Sequence, residues 1–579
     1  MRILSALLIP VTAMALLSCQ PETEPPAPSV KDPGPLTYNR DIAPIVHERC
    51  SPCHRPGQAG PFDLLTYADV EDRAKQIVKV TGSRYMPPWP PDAGYGDFVG
   101  DRNLPQDVID AFAQWVKDGK LEGDPKDLPP APKWTYGWQL GEPDILVELG
   151  EDYHLVADGL DVYRNFVLPI PWDGTGGKYV EAIEFRPQNN LVVHHAVIML
   201  DESGRAAEHD RREAGLGFGS MDFGDVQGPS GHFLGWTAGK TPRRDPRLAW
   251  PLESGVDLVM QLHMLPSGKP EKVRSRVGLF MTDNPPTHQS ALVRLSRKDL
   301  VIPPGEKSYY LEDRYVLPVD VEAISVYPHA HYLGTLISAY ALLPDGSKKW
   351  LIRISENWDF AWQDEYRYAE PVFLPRGTEL VAQFEFDNSS DNPANPNEPP
   401  ITVYYGRGSM DEMADVMLQV VSDDVDDLDY LKRHHLEKWL EQETAGLETM
   451  LLADPEHAAN HHSLAMCYVR EGRVSEGISH LEESLRLQPD YAEAHINLGI
   501  TLNSQRDPVR AIGHFRSALE IRPEYPDAHF NLGVALLMSG DEASARTHLV
   551  KAARLRPEMA AAIQSRAERM GLPGLVIDQ

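Results

Sequence analysis

Pro489-Asp490-Tyr491-Ala492-Glu493-Ala494-His495-Ile496-Asn497-Leu498-Gly499 returns one period later as Pro523-Glu524-Tyr525-Pro526-Asp527-Ala528-His529-Phe530-Asn531-Leu532-Gly533. The period is 34 residues, and Pro455, Pro489, Pro523 and Pro557 all keep it. Leu464, Leu498 and Leu532 recur in step, as do the small residues Ala465, Gly499 and Gly533. Further on, Gly477, Ala511 and Ala545 are followed by Leu481, Phe515 and Leu549. A small residue lets two helices of a hairpin approach, and a large one fills the space between hairpins. His461, His495 and His529 share the period. A repeated packing position at the start of each hairpin explains them better than a ladder of metals.

This pattern resembles the tetratricopeptide repeat, which implies an α-solenoid over residues 457–570 and a groove or packing face for a protein partner. Leu428 to Leu452 has helical patterning and makes residues 425–456 a helical connector into the array.

Upstream, residues 143–424 alternate β-branched and aromatic runs with Pro, Gly, Asn and Asp breaks, which predicts β-sandwich. Isolated histidines carry little information in a chain with 21 of them. An ordered set carries more: Val192-Val193-His194-His195-Ala196-Val197, then Met260-Gln261-Leu262-His263-Met264, then Tyr327-Pro328-His329-Ala330-His331-Tyr332-Leu333-Gly334, then Met410-Asp411-Glu412-Met413. On a strand, residues two apart share a face, so His329 and His331 can reach one metal, and Gln261 stands beside His263. Adjacent His194 and His195 point to opposite faces unless a bulge or different ring nitrogens bring them together. Imidazole and thioether donors together favour copper over zinc.

The order His-His, His, His-x-His, Met resembles the copper type II, ascorbate-dependent monooxygenases, the peptidylglycine α-hydroxylating and dopamine β-monooxygenase family. The resemblance covers residues 143–424. It implies two jelly-roll-like β-sandwich domains, 143–305 and 306–424, with coppers facing each other across a cleft. It also implies an electron-transfer copper on His194, His195 and His263, a catalytic copper on His329, His331 and Met413, and Gln261 as a candidate on the electron path. This region departs from the animal enzymes in having no cysteine, and from the peptide enzyme in having Tyr327, Asp415 and Met417 where carboxylate-anchoring groups stand. A C-terminal glycine substrate is therefore not expected.

Nearer the N-terminus, Cys50-Ser51-Pro52-Cys53-His54 matches C-x-x-C-H, two thiols spaced for the haem vinyl groups followed by an imidazole for the iron. A zinc half-site is the alternative, but there is no second cysteine pair to complete it. Met86, in Tyr85-Met86-Pro87-Pro88-Trp89, is the expected second axial ligand, since two prolines stiffen its loop; His47 is the alternative. Val108, Ile109, Phe112, Trp115 and Val116 give Leu104 to Asp118 helical spacing. The segment resembles a small all-α class I cytochrome c, over residues 36–122. The Pro-rich stretch from Asp124 to Trp134 makes 123–142 a linker.

The first residues read as a targeting segment. Arg2 precedes an apolar run, Ile3 to Leu17, that is shorter than a spanning helix. It ends in Leu16-Leu17-Ser18-Cys19, which resembles a bacterial lipobox: signal peptide 1–18, lipid on Cys19, and a Pro/Glu-rich tether over 19–35. With Cys50 and Cys53 on haem and Cys19 lipidated, no disulfide framework is expected from the four cysteines. A net charge of −31 disfavours nucleic acid as a partner.

Together these readings predict an exported lipoprotein held at the periplasmic face of a membrane by its anchor alone. Its expected function is copper-dependent hydroxylation of a C–H bond, in a small-molecule or peptide substrate, by dioxygen. Two copper ions and one covalent haem c are the expected cofactors, with the haem relaying electrons from a periplasmic donor. The other classes open to the sequence are an electron-transfer or copper-binding module without hydroxylase activity, and a partner-binding scaffold.

Overall fold

The computed structural model describes residues 34–572, except 136, 160–161, 176–177, 203, 212, 220–225, 227, 230–231, 233, 356–357 and 558–559. The expected signal segment, Cys19 and most of the tether lie outside the described residues. Among the described residues, no helix is long and apolar enough to cross a membrane.

The chain begins with helical turns over Tyr38–Ile42, α1 (Ala43–Ile45) and Val46–Cys50, followed by α2 (Tyr67–Gly82) and α3 (Gln106–Lys117). Thr66 starts α2 with a capping box: its hydroxyl takes the Asp69 amide while the Asp69 carboxylate takes the Thr66 amide. The apolar side of α3 (Val108, Ile109, Ala111, Phe112 and Trp115) packs on Ile42 and Val46. Between α2 and α3 the chain leaves this core. Trp89 and Phe98 are buried in the core of the second β unit, Phe98 bridges to Tyr368, and the Asp92 amide donates to the Arg353 carbonyl at 2.7 Å. The helical unit is thus docked on the β region through part of its own chain.

The first β unit holds β1 (Ile145–Glu148), β2 (Tyr153–Leu155), β3 (Val162–Pro169), β4 (Tyr179–Arg186), β5 (Val193–Asp201), the short helix α4 (Arg205–Asp210), β6 (Leu234–Thr237), β7 (Trp250–Pro251), β8 (Asp257–Met264), β9 (Glu271–Val273) and β10 (Arg276–Thr282). Two four-stranded sheets, β1-β10-β4-β7 and β3-β8-β5-β6, enclose one core of Val147, Phe166, Val180, Ile198, Leu258 and Leu279. The second unit holds β11 (Gln289–Ser296), β12 (Val301–Ile302), β13 (Tyr309–Val316), β14 (Val321–His329), β15 (Gly334–Leu342), β16 (Lys348–Ile354), β17 (Tyr366–Leu374), β18 (Glu379–Phe386), β19 (Val403–Tyr404) and β20 (Asp415–Ser422). Its sheets are β11-β20-β14-β17 and β13-β18-β15-β16, again over a shared core. Every pairing between these strands is antiparallel. The second unit starts earlier than the expected boundary at 305/306. β11 pairs with β20 along its whole length, and its buried side chains Ala291, Val293 and Leu295 belong to the second core.

A single helix, α5 (Val425–Ala453), leads into the C-terminal array. It lies on β11, where His435 Nε2 meets the Arg294 carbonyl at 2.9 Å and Lys438 pairs with buried Asp313 at 2.6 Å. Three antiparallel hairpins follow: α6 (Ala458–Arg470) with α7 (Val474–Leu487), α8 (Ala492–Ser504) with α9 (Pro508–Ile521), and α10 (Pro526–Ser539) with α11 (Glu542–Leu555); α12 (Ala560–Arg569) closes the stack. In the second and third hairpins the small and large residues meet inside the hairpin rather than only between hairpins. A Cβ on Gly499 would stand 2.6 Å from the Phe515 ring, and one on Gly533 would stand 2.7 Å from Leu549.

Candidate metal centres and the Cys-x-x-Cys-His loop

His195 on β5 stands opposite His263 on β8 in the same sheet. The ladder shifts register between Val193 and His195, and this bulge turns adjacent His194 to the same side as its neighbour. Ligand nitrogens of His194, His195 and His263 then lie within 4.8 Å of one another, a set able to hold one metal ion. His195 Nδ1 and His263 Nδ1 are 3.3 Å apart, and the buried His194 Nδ1 makes no hydrogen bond. Burial, reinforced by His263, pushes His194 down to about 4 and lowers His195 as well, so both of these imidazoles are neutral, as a metal requires. Tyr163, opposite His263 on β3, stacks on its ring at 4.2 Å and fixes its plane. Gln261 lies two residues before His263 on β8, and its amide donates to Asn165 Oδ1 at 3.0 Å within the sheet.

His329, His331 and Met413 converge in the second unit. His329 ends β14 and His331 lies just past it, so the pair does not sit on one regular strand as expected. The chain curls there because Glu412, fully buried, accepts the His331 amide with Oε1 and the Leu333 amide with Oε2 at 2.9 Å. The same carboxylate takes the Met413 amide at 2.8 Å. One side chain therefore ties the histidine loop to the methionine loop, leaving the two imidazole rings 5.2 Å apart at 86°. His329 Nε2 lies 3.3 Å from Met413 Sδ. His331 Nδ1 donates to the Asp411 carbonyl at 2.9 Å, and His329 Nδ1 donates to Gln363 Oε1, so each ring turns Nε2 toward the common centre. Trp358 donates its indole N–H to the His331 carbonyl at 2.8 Å; it crosses so close to Gly334 that a Cβ there would stand 3.1 Å from the ring.

The two clusters are near neighbours. The Phe360 ring lies 6.0 Å from His263 and 5.1 Å from His331, Trp362 lies 6.3 Å from His194, and Gln363 holds His329. One turn, Phe360–Trp362, and the residue after it therefore touch histidines of both sets. Sequence reasoning missed Glu412, Gln363, Phe360, Tyr163 and Trp358. Glu412 had a signal, as a carboxylate next to the methionine in the quoted motif. Phe360 and Gln363 had none, because no spacing relates them to either set.

Cys50 and Cys53 are free, half-buried thiols, and burial pushes Cys50 up to about 12. His54 Nδ1 donates to the Phe62 carbonyl at 3.0 Å, which leaves Nε2 as its ligand nitrogen. Gly60 closes the loop so tightly that a Cβ would stand 2.7 Å from both the Cys53 carbonyl and His54 Nδ1. Met86 is half-buried after α2, with its amide bonded to the Val80 carbonyl at 3.1 Å. The alternative, His47, is buried, with its Nδ1 making no hydrogen bond.

In the repeats, His461, His495 and His529 each give Nε2–H to a proline carbonyl and meet a second histidine, His480, His514 or His548, through Nδ1 at 2.8–3.1 Å. The recurring position is thus a packing pair.

Two tetratricopeptide-repeat families match the chain, over residues 456–524 and 502–566. No curated protein matches it. Similar solved structures include two of MamA. One has 22% identity and a TM-score of 0.22, covering 26% of this chain and 86% of that one; the other has 20% identity and a TM-score of 0.20, covering 24% and 76%. The C-terminal part of this chain is a tetratricopeptide-repeat array, a module that suggests a protein partner.

Proposed function

We propose that the chain is a copper-dependent monooxygenase that hydroxylates a C–H bond with dioxygen, with electrons entering through a c-type haem on Cys50, Cys53 and His54. The observation that carries the reading is the pair of neighbouring donor sets: three imidazoles in one, two imidazoles and a thioether in the other. Imidazole and thioether donors of this kind suit copper. By donor type and order they resemble the copper type II, ascorbate-dependent monooxygenases, whose jelly-roll-like domains the two β units would then be. The helical unit would be the cytochrome c-like domain, with Met86 as the candidate second axial ligand. Lipid on Cys19 would hold the protein at the periplasmic side of a membrane.

Copper bound at the two sets would supply the dioxygen and electron-transfer chemistry. The protein's own contribution is orientation. Asp411 and Gln363 fix the tautomers of His331 and His329, Glu412 holds the methionine loop against the histidine loop, and Tyr163 fixes the His263 ring. Phe360 places an apolar ring beside both sets. Buried Asp415 stands opposite His329 and Met417 opposite Tyr327, so the surroundings offer no carboxylate anchor at these positions, which favours an uncharged or amine-bearing substrate.

The test is copper per haem in the full chain, matured with haem and loaded anaerobically with Cu(I). Two coppers per haem are expected, falling to one in Met413→Ala or His329→Ala. Haem without tightly bound copper would overturn the assignment.

A further inference from the structure

The helical unit, with its Cys-x-x-Cys-His loop, meets the turns before β5 and after β6, beside the first histidine set. Arg102 Nη2 donates to the Gly239 carbonyl at 3.0 Å, and Asn190 Nδ2 donates to the Gly57 carbonyl at 2.8 Å. Asn190 lies four residues before His194, and Gly57 lies three residues after His54. Gly239 adopts a φ of +87°, and a Cβ on it would stand 3.1 Å from Cys53 Sγ and 3.2 Å from Arg102 Nη1. A side chain there would strain the backbone and press on both neighbours. Gly239 follows Thr237 by two residues, and Thr237 is the cross-strand partner of His195.

We propose that this contact is the electron port of the protein. One electron leaves the haem iron, oxidising Fe(II) to Fe(III), crosses from Cys53 through the Gly239–Thr237 backbone, and reduces Cu(II) to Cu(I) at His194, His195 and His263. The inference rests on the haem and copper assignments above and adds to them the route and the residues that hold it. From Cys53 Sγ to the His195 Cα the route spans under about 18 Å, given ordinary Cα spacings along and across strands.

Two further observations support a fixed port over a tethered, searching haem unit. Trp89 and Phe98 anchor the helical unit in the second β core, with Val99 donating to the Arg367 carbonyl at 2.9 Å. Cys53 also opens on a cavity of about 1080 Å³ lined by both β units, with Phe185, Leu234 and Trp236 from the first and Arg367 and Tyr368 from the second. A group attached at Cys53 therefore meets the first unit directly. Arg102, Asn190 and Gly239 are positioning residues: they set a distance and touch neither metal nor substrate.

The experiment uses the full chain carrying haem and copper. A substoichiometric pulse of a photogenerated reductant is given to the oxidised protein, and the haem absorption band is followed. The expected result is first-order haem reoxidation at a rate independent of protein concentration. It persists in Met413→Ala, which leaves the first set intact, and is absent without copper. Gly239→Leu and Arg102→Ala should each slow it tenfold or more, with copper content and haem midpoint potential unchanged; Arg102→Ala answers if Gly239→Leu fails to fold. Two coppers per haem with a rate that scales with protein concentration, or that neither variant changes, would overturn the port alone. Haem with no copper would overturn the port together with the copper reading.

Discussion

Replacing Glu412 by alanine should disconnect the second donor set while sparing the first. The carboxylate accepts three amides, those of buried His331 and Leu333 and that of partly buried Met413. Glu412, His331 and Leu333 are shut off from solvent. Leaving a buried donor unsatisfied costs about 1–3 kcal/mol, so the two orphaned buried amides destabilise this corner locally by at least about 2 kcal/mol. At a factor of ten per ~1.4 kcal/mol, amide exchange at His331 and Leu333 should quicken by more than about tenfold. The methionine loop then loses its tie to the histidine loop, and copper per chain should fall from two to one. Glu412→Gln keeps one acceptor oxygen but turns an NH₂ toward an N–H donor, so its effect should be intermediate. Hydrogen exchange with mass spectrometry and metal analysis on the same samples read both consequences. An alanine variant with native protection at these amides and two coppers would refute the reasoning.

Further expectations follow from the rest of the molecule. Burial lowers His480, His495, His514, His529 and His548 below the usual histidine range, so unfolded repeats bind protons that folded ones do not. The resulting stability is fully present above about pH 6.5 and is lost as pH falls from there toward the lower folded values. Amide protection across α6–α11 should drop between pH 7.5 and pH 5, and a flat profile would contradict the His–His pairing. Phe515→Ala empties a fully buried site against Gly499 and should cost about 3–5 kcal/mol, read as lost cooperativity of the array in urea. Trp89→Ala removes a ring packed 5.3 Å from Tyr366 and should make the segment between α2 and α3 sensitive to proteolysis while α2 and α3 stay protected.

The repeat array was legible because its signal is one-dimensional. Each hairpin packs on its sequence neighbours, so contact partners recur at a fixed period and the pattern records them. The Cys50-Ser51-Pro52-Cys53-His54 motif could be read for a similar reason, since its two thiols and imidazole lie within five residues. The histidine sets were legible only as residue types in order. Nothing in the alternation of β11 revealed that it belongs to the second unit, because pairing with β20 joins residues more than a hundred positions apart, and a strand's pattern does not name its partner.

Sequence alone determined which residue types could serve as donors, the 34-residue period of the array, and that His194 and His195 needed a bulge or different ring nitrogens to act together. Tertiary structure decided what those donors face. The bulge at His194, the Glu412 tie between two loops, the Phe360 ring between the histidine sets and the Gly239 approach to Cys53 each join segments distant in the chain. Local propensity cannot encode such meetings. Burial of apolar strands brings the segments together, and the buried polar groups must then find partners on whatever chain has arrived beside them.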